Sequence, residues 1–529
     1  MTQHMRKWST TPTTTTPWFL TLDHENEVIY HNNQTIKHGT LTGLVEHLTR
    51  HDRVDIPFNE TFLTTYPTFI SGHELSELLL QRLHIPPPPD LSPSELHRWT
   101  EQKQKPIRFR TINILNMWIE RYWMESGDEC SLDLLRHIHA HVTGLTGMPT
   151  SQLITAIEYR LKGQDVIKRL ITPPNTTTTP TATPKPVTPK NKKKIKLLNL
   201  DSMELARQLT IIESNLYNRI KPQECLNKAW QRKTQEGSCP RRTSTATESS
   251  TNKEESGIKA IINHSNHLSR WIMEMILGQP EMKKRVSVLK FLITVADKCK
   301  TLNNFATTTT IISALSTAPI YRLHRTWSQV SSRSRTLLAD LQALMSSERN
   351  FAKYRDALRL AVLPCIPFLG VFLTDLTFLT DGIPDFAPVE AETTPPPTPN
   401  TGTHETPTET KIGMINFHKW SKISTVIQNI LSFQTTTYNL VSVGEIQEFV
   451  GQGLRGVKND IEKEKEKGND GEGGGDGDEM YEWSLRVEPR LVFEERGGGM
   501  GMGGGGRGGG HLATGSHMSS VVIASMAMR

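Results

Sequence analysis

At 529 residues the chain has room for two or three domains, each with its own apolar core, and 36% hydrophobic with 22% charged residues is the balance of a globular protein carrying polar insertions. A net charge of +6, spread along the chain, is only a weak argument for nucleic acid, and no nucleic-acid partner is expected. The cysteines, Cys130, Cys225, Cys239, Cys299 and Cys365, are odd in number and never paired as CxxC, which excludes a disulfide frame or cysteine zinc site and points to a reducing compartment.

Residues 1–25 are Thr/Pro-rich and expected to be disordered, with Trp18 to Leu22 and Val28 to Tyr30 as short extended pieces. They lack the apolar core of a signal peptide. From Gly39 the period turns helical: Leu41, Leu44, Val45 and Leu48 share a face, followed by Phe58 to Ile70, Leu75 to Leu83, Ile107 to Met124 and Leu132 to Val142. A Thr/Pro/Lys linker follows at 166–195, ending in the basic run Lys192 to Lys194. A second helical domain occupies 196–495, with expected disordered insertions near 235–256, 387–410 and 458–479, and a Gly-rich tail at 496–529. The longest apolar run, Ala361 to Leu373, holds two prolines and is shorter than the roughly 20 residues of a membrane span, so the expected setting is cytoplasmic.

Within that second domain, Pro364 to Pro384 is organised as a helix with start and stop signals, opening near Pro367 and closing at Gly382 and Pro384. Phe368, Phe372, Leu376 and Leu379 form an apolar stripe, while Thr374, Thr377 and Asp381 form a polar one. Ile423, Val426, Ile427, Ile430 and Leu431 mark another amphipathic helix that could pair with it antiparallel. No nucleophile elbow, zinc-protease or kinase motif is present. The glycines of 497–510 follow no strand, so they make no phosphate cradle, and His137, His139 and His141 lack a Cys or Glu to complete a metal set. No cofactor, metal or bond-making chemistry is expected.

The segments Asp201 to Thr210, Arg219-Ile-Lys-Pro222, Cys299 to Phe305, Pro367-Phe-Leu-Gly370 with Thr374-Asp-Leu376, and Ile415-Asn-Phe417 resemble the catalytic domain of Ras-type guanine-nucleotide exchange factors. Gly39-Thr-Leu41, Leu44 to Thr49 and Thr61 to Tyr66 resemble the Ras exchanger motif domain that precedes it, here 26–165. The Thr/Pro-rich insertions are similar to those of fungal members. This resemblance implies an all-α fold with a protruding helical hairpin, Phe368 to Asp381 and about Ile412 to Phe433, that wedges into a small GTPase without bond chemistry.

By the same resemblance Thr377 is the wedge at the magnesium site and Asp381 the carboxylate that meets the phosphate loop. Ile262, Phe351 and Phe368 form a pocket for a GTPase tyrosine, flanked by Asn263, Thr309 and Ser316, which depart from the best-known animal members. Thr377 likewise replaces a leucine. The implied partners are a nucleotide-free Ras-family GTPase, as in some relatives a second, allosteric GTPase on the first domain, and the membrane surface reached through the lipidated GTPase. A non-catalytic GTPase-binding scaffold on the same fold is the alternative. Asn303, Asn304 and Arg322 are expected to be structural.

Overall fold

The structure, a computed structural model, describes residues 17–124, 129–145, 147–164, 184–189, 195–231, 256–387, 413–466 and 476–490. Most of the linker, including Lys192 to Lys194, nearly all of the insertions near 235–256 and 387–410, and the tail lie outside them. Strands β1 (Val28–Tyr30) and β2 (Ile36–Gly39) pair antiparallel. The remaining elements are helical: α1 (Leu41–Thr49), α2 (Ile56–Thr65), α3 (Gly72–Leu83), α4 (Pro93–Trp99), α5 (Lys105–Arg121), α6 (Glu129–Thr143), α7 (Ser151–Leu161), α8 (Ser202–Tyr217), α9 (Gly257–Leu277) and α10 (Met282–Thr301). They continue through α11 (Phe305–Ser316), α12 (Ala318–Tyr321), α13 (His324–Ser328), α14 (Ser332–Leu344), α15 (Ala352–Leu360), α16 (Leu369–Gly382), α17 (Phe417–Ser432), α18 (Gly444–Glu466) and α19 (Asp476–Val487). The fold class is all-α.

Two compact units emerge, one of residues 1–176 with 379–425, the other of 177–378 with 426–529. In the first, α1, α3 and α7 pack on α5, burying Leu44, Phe62, Leu63, Leu75 and Trp118 completely. Thr40, Asp55 and Ser71 each accept from a backbone N–H of the helix they precede, and each cap is worth about 1 kcal/mol. The extended piece expected at Trp18 is instead a 3-10 turn, Trp18–Leu20, and that part of the lead-in is ordered. Phe19 and Leu20 are buried there in a cluster with Trp99, which outweighs the polar Thr/Pro context.

In the second unit α8 and α11 pack on α10, and α11 and α18 on α9. Val288, Leu292 and Val295 face inward, at most 2% exposed. Asn304 caps α11 by accepting from Thr307 N–H, and Arg322 donates to Ser484 Oγ at 3.1 Å and to the Glu488 carbonyl at 2.9 Å, so both are structural. The insertion expected at 458–479 is helical at both ends, since α18 runs to Glu466 and α19 starts at Asp476. Glu and Lys are strong helix formers, and neither Gly nor Pro interrupts 457–466.

Candidate functional site

The approach to α16 is fixed from two sides. Ile366 N–H donates to the Asn303 carbonyl at 3.0 Å and Phe305 N–H to the Ile366 carbonyl at 2.9 Å, pinning this segment to the start of α11. Two residues later Phe368 N–H donates to Tyr354 Oη at 2.8 Å. Burial pushes the Tyr354 phenol far above its ordinary value, so it stays neutral. Phe368 itself is 7% exposed.

From Leu369 the helix has the two faces its spacing predicts. Phe372 and Leu376 are buried, and Phe372 meets Phe433 with ring centroids 6.4 Å apart. On the other side Thr374 and Thr377 are half-buried and Asp381 is exposed. Both threonine hydroxyls donate 2.8 Å bonds back to the carbonyls four residues earlier, Gly370 and Leu373. Thr377 therefore has an acceptor oxygen and a methyl group left to offer. Phe378 also lies on this face, one residue beyond Thr377 and three before Asp381, and 69% of it is exposed. Pattern reading overlooked it, because an aromatic on an apolar-rich helix is ordinarily assigned to the core.

The tip of the hairpin is built within the first unit. Ile415 N–H donates to the Gly39 carbonyl at 2.8 Å and Gly39 N–H to that of Ile415 at 3.1 Å, so the segment leading into α17 is bridged antiparallel to the end of β2. Phe417 stacks on Phe58, centroids 4.6 Å apart, and Trp420 lies 6.1 Å from Phe69. The return helix accordingly begins at Phe417, later than the expected Ile412.

The remaining candidate positions fall on three elements. Ile262 is buried and its neighbour Asn263 exposed on α9. Thr309 and Ser316 lie two turns apart on α11, which packs against α9. Thr309 is 8% exposed and donates to the Phe305 carbonyl, whereas Ser316 donates to Ile312 and accepts from Gln342 Nε2 at 3.1 Å. Phe351 and Phe368 join one apolar cluster. Phe351 follows Arg349 and Asn350 in the left-handed region, φ 59° after 50° and 56°. For non-glycine residues this costs on the order of 1 kcal/mol each.

The site combines the polar row on α16 with the apolar cluster that Phe351 and Phe368 join. The Cys365 thiol beside it is pushed up to about 12 by burial and is no nucleophile. Among the described residues no set of His, Cys, Asp and Glu is arranged to hold a metal.

A chain whose described residues are mostly helical and carry a braced hairpin with one outward face matches two family descriptions in the order seen here, the RasGEF N-terminal motif over residues 35–140 and the RasGEF domain over 204–421. The chain belongs to the RasGEF family, with its N-terminal motif. Among relatives it is similar to the cell division control protein 25 of Saccharomyces cerevisiae, 32% identical over 90% of this chain and 28% of the relative. The protein of the same name in Candida albicans is 34% identical over 83% and 30%. Ras guanine nucleotide exchange factor A of Dictyostelium discoideum is 28% identical over 87% and 66%. The chain thus spans less than a third of the length of the two fungal relatives.

Proposed function

We propose that the chain is a guanine-nucleotide exchange factor that promotes GDP release, and hence GTP loading, on a Ras-family small GTPase by inserting the α16–α17 hairpin at the switch and magnesium/phosphate region. The observation that carries this is the outward face of α16, where Thr377, Phe378 and Asp381 stand together on a helix whose other face is core. Membership of a family whose relatives are named exchange factors favours exchange over a passive scaffold. In this reading Thr377 occludes the magnesium site and Asp381 faces the phosphate loop. Ile262, Phe351 and Phe368 line the tyrosine pocket, and Asn263, Thr309 and Ser316 tune the choice of GTPase.

A nucleotide held at picomolar affinity is bound by about 16 kcal/mol. Accelerating its release about 10⁵-fold takes about 7 kcal/mol of differential stabilisation. One carboxylate does not supply that, whereas an interface of roughly 2,000 Å² does. The N-terminal domain, 26–165, braces the hairpin and offers a surface to a second, allosteric GTPase. The lipidated GTPase brings the complex to the cytoplasmic membrane face; among the described residues no helix is long and apolar enough to cross a membrane.

Fluorescent-GDP release from a panel of Ras-like GTPases tests the proposal. If members of the panel bind and none releases nucleotide faster than its intrinsic rate, the chain is a scaffold.

A further inference from the structure

We infer that Lys419 is a positioning residue that holds the Asp381 end of the hairpin in its working geometry; this rests on the exchange reading above. Lysine is almost never fully buried without partners, yet Lys419 is 1% exposed. Its ammonium donates to the Thr380 carbonyl at 2.7 Å, the Ile383 carbonyl at 2.6 Å and Asp385 Oδ1 at 2.6 Å, and lies 5.2 Å from the Trp420 ring centroid. A helix C-terminus leaves carbonyls without intrahelical partners and carries partial negative charge. The ammonium meets two carbonyls there, on either side of Asp381 and Gly382.

Asn416 completes the clamp. Its Nδ2 donates to the Pro384 carbonyl at 3.0 Å, its N–H to the Asp385 carbonyl at 2.8 Å, and its Oδ1 accepts from Lys419 N–H at 3.4 Å. The first turn of α17 thereby dictates where the last turn of α16 ends. Three convergent acceptors fill the three donors of one ammonium, so Lys419 is saturated by the hairpin itself and is unsuited to contact a partner. Its influence on exchange runs through Asp381.

The test is a double-mutant cycle on the full chain, reading release of fluorescent GDP from a Ras-family GTPase together with affinity for the nucleotide-free GTPase. Residues in one network couple strongly, so Lys419→Met is expected to slow release by about tenfold or more with affinity changed less than about threefold. In an Asp381→Asn background the same change should then add less than about twofold. An equal further loss in that background overturns the inference, as does a loss confined to affinity. If Lys419→Met gives no cooperative melt, Lys419→Arg and Asp385→Asn enter the same cycle under the same criteria. If the unsubstituted chain releases no nucleotide, the exchange reading fails on its own; amide exchange at 380–387 then decides. Protection of the Asp381 and Gly382 amides unchanged by Lys419→Arg overturns the positioning role, and lost protection supports it.

Discussion

Arg355 on α15 grips Asp375 on α16 through two parallel bonds, Nη1 to Oδ2 and Nη2 to Oδ1, each 2.8 Å. The same guanidinium donates from Nε to the carbonyl of left-handed Asn350 at 2.9 Å and from Nη2 to its side chain at 3.3 Å. One side chain thus ties the turn that presents Phe351 to the helix that presents Thr377. Bidentate geometry makes this stronger than an ordinary surface pair, and both side chains are largely shielded, 27% and 22% exposed. Arg355→Ala should cost about 1–2 kcal/mol of stability and slow exchange. The charge-swapped pair Arg355→Asp with Asp375→Arg should recover part of the stability lost by either single change in denaturant titration; no recovery would show that the ion pair is incidental.

Phe378 separates binding from folding. With 69% of its surface exposed, Phe378→Ser should leave stability within about 0.5 kcal/mol of the unsubstituted chain. An aromatic anchor in an interface is worth about 2 kcal/mol or more, so affinity for the nucleotide-free GTPase should fall at least about tenfold. Unchanged affinity would place the contact face elsewhere on α16.

Phe368 behaves oppositely. It is 7% exposed and belongs to the main core, so Phe368→Ala should destabilise by about 3–5 kcal/mol through the cavity it leaves, besides abolishing exchange. Asp381→Ala should weaken exchange without abolishing it. Thermal melts and GDP-release rates on the same preparations check both, and equal, negligible effects on exchange would refute the site.

Acid should loosen the N-terminal unit through His47. Its imidazole is 3% exposed, 3.2 Å from Arg50 and 3.3 Å from Asp55, with the Phe58 ring 4.5 Å away. Burial lowers it to about 4, against the opposing pull of Asp55. The unfolded chain takes up this proton near pH 6.5 and the folded chain only near 4, so stability is full above 6.5 and falls as pH drops through that window. The loss amounts to about 3 kcal/mol. Denaturant midpoints at pH 7 and pH 4.5 should differ by less in His47→Gln; an identical difference would assign the acid sensitivity to other groups.

Much of this was legible in the residues. Pro367 and Gly382 bracket α16 because one opens a helix and the other ends it, and the observed helix, Leu369–Gly382, starts two residues after Pro367 and ends at Gly382. Periodicity reports which face is apolar, but not which apolar residue lacks a neighbour, so Phe378 was invisible. Lys419 was hidden for the converse reason, since a lysine on an amphipathic helix is ordinarily solvated and its acceptors lie over 30 residues away in sequence. The pairing of Ile415 with Gly39 joins segments so distant that no local pattern encodes it.

That pairing has neighbours. Ala387 N–H donates to the Met414 carbonyl at 2.7 Å, and Phe386 is bridged to Ile415, so the chain departs at 387 and re-enters at 413 along adjoining tracks. Loop-closure entropy grows only by about 0.6 kcal/mol for each doubling of length. Sequence added between Ala387 and Gly413 is therefore expected to cost little while both ends keep these bonds. A fluorescent protein or affinity peptide spliced there would leave the stitched ends as they are, and would put a reporter on the segment that joins α16 to α17.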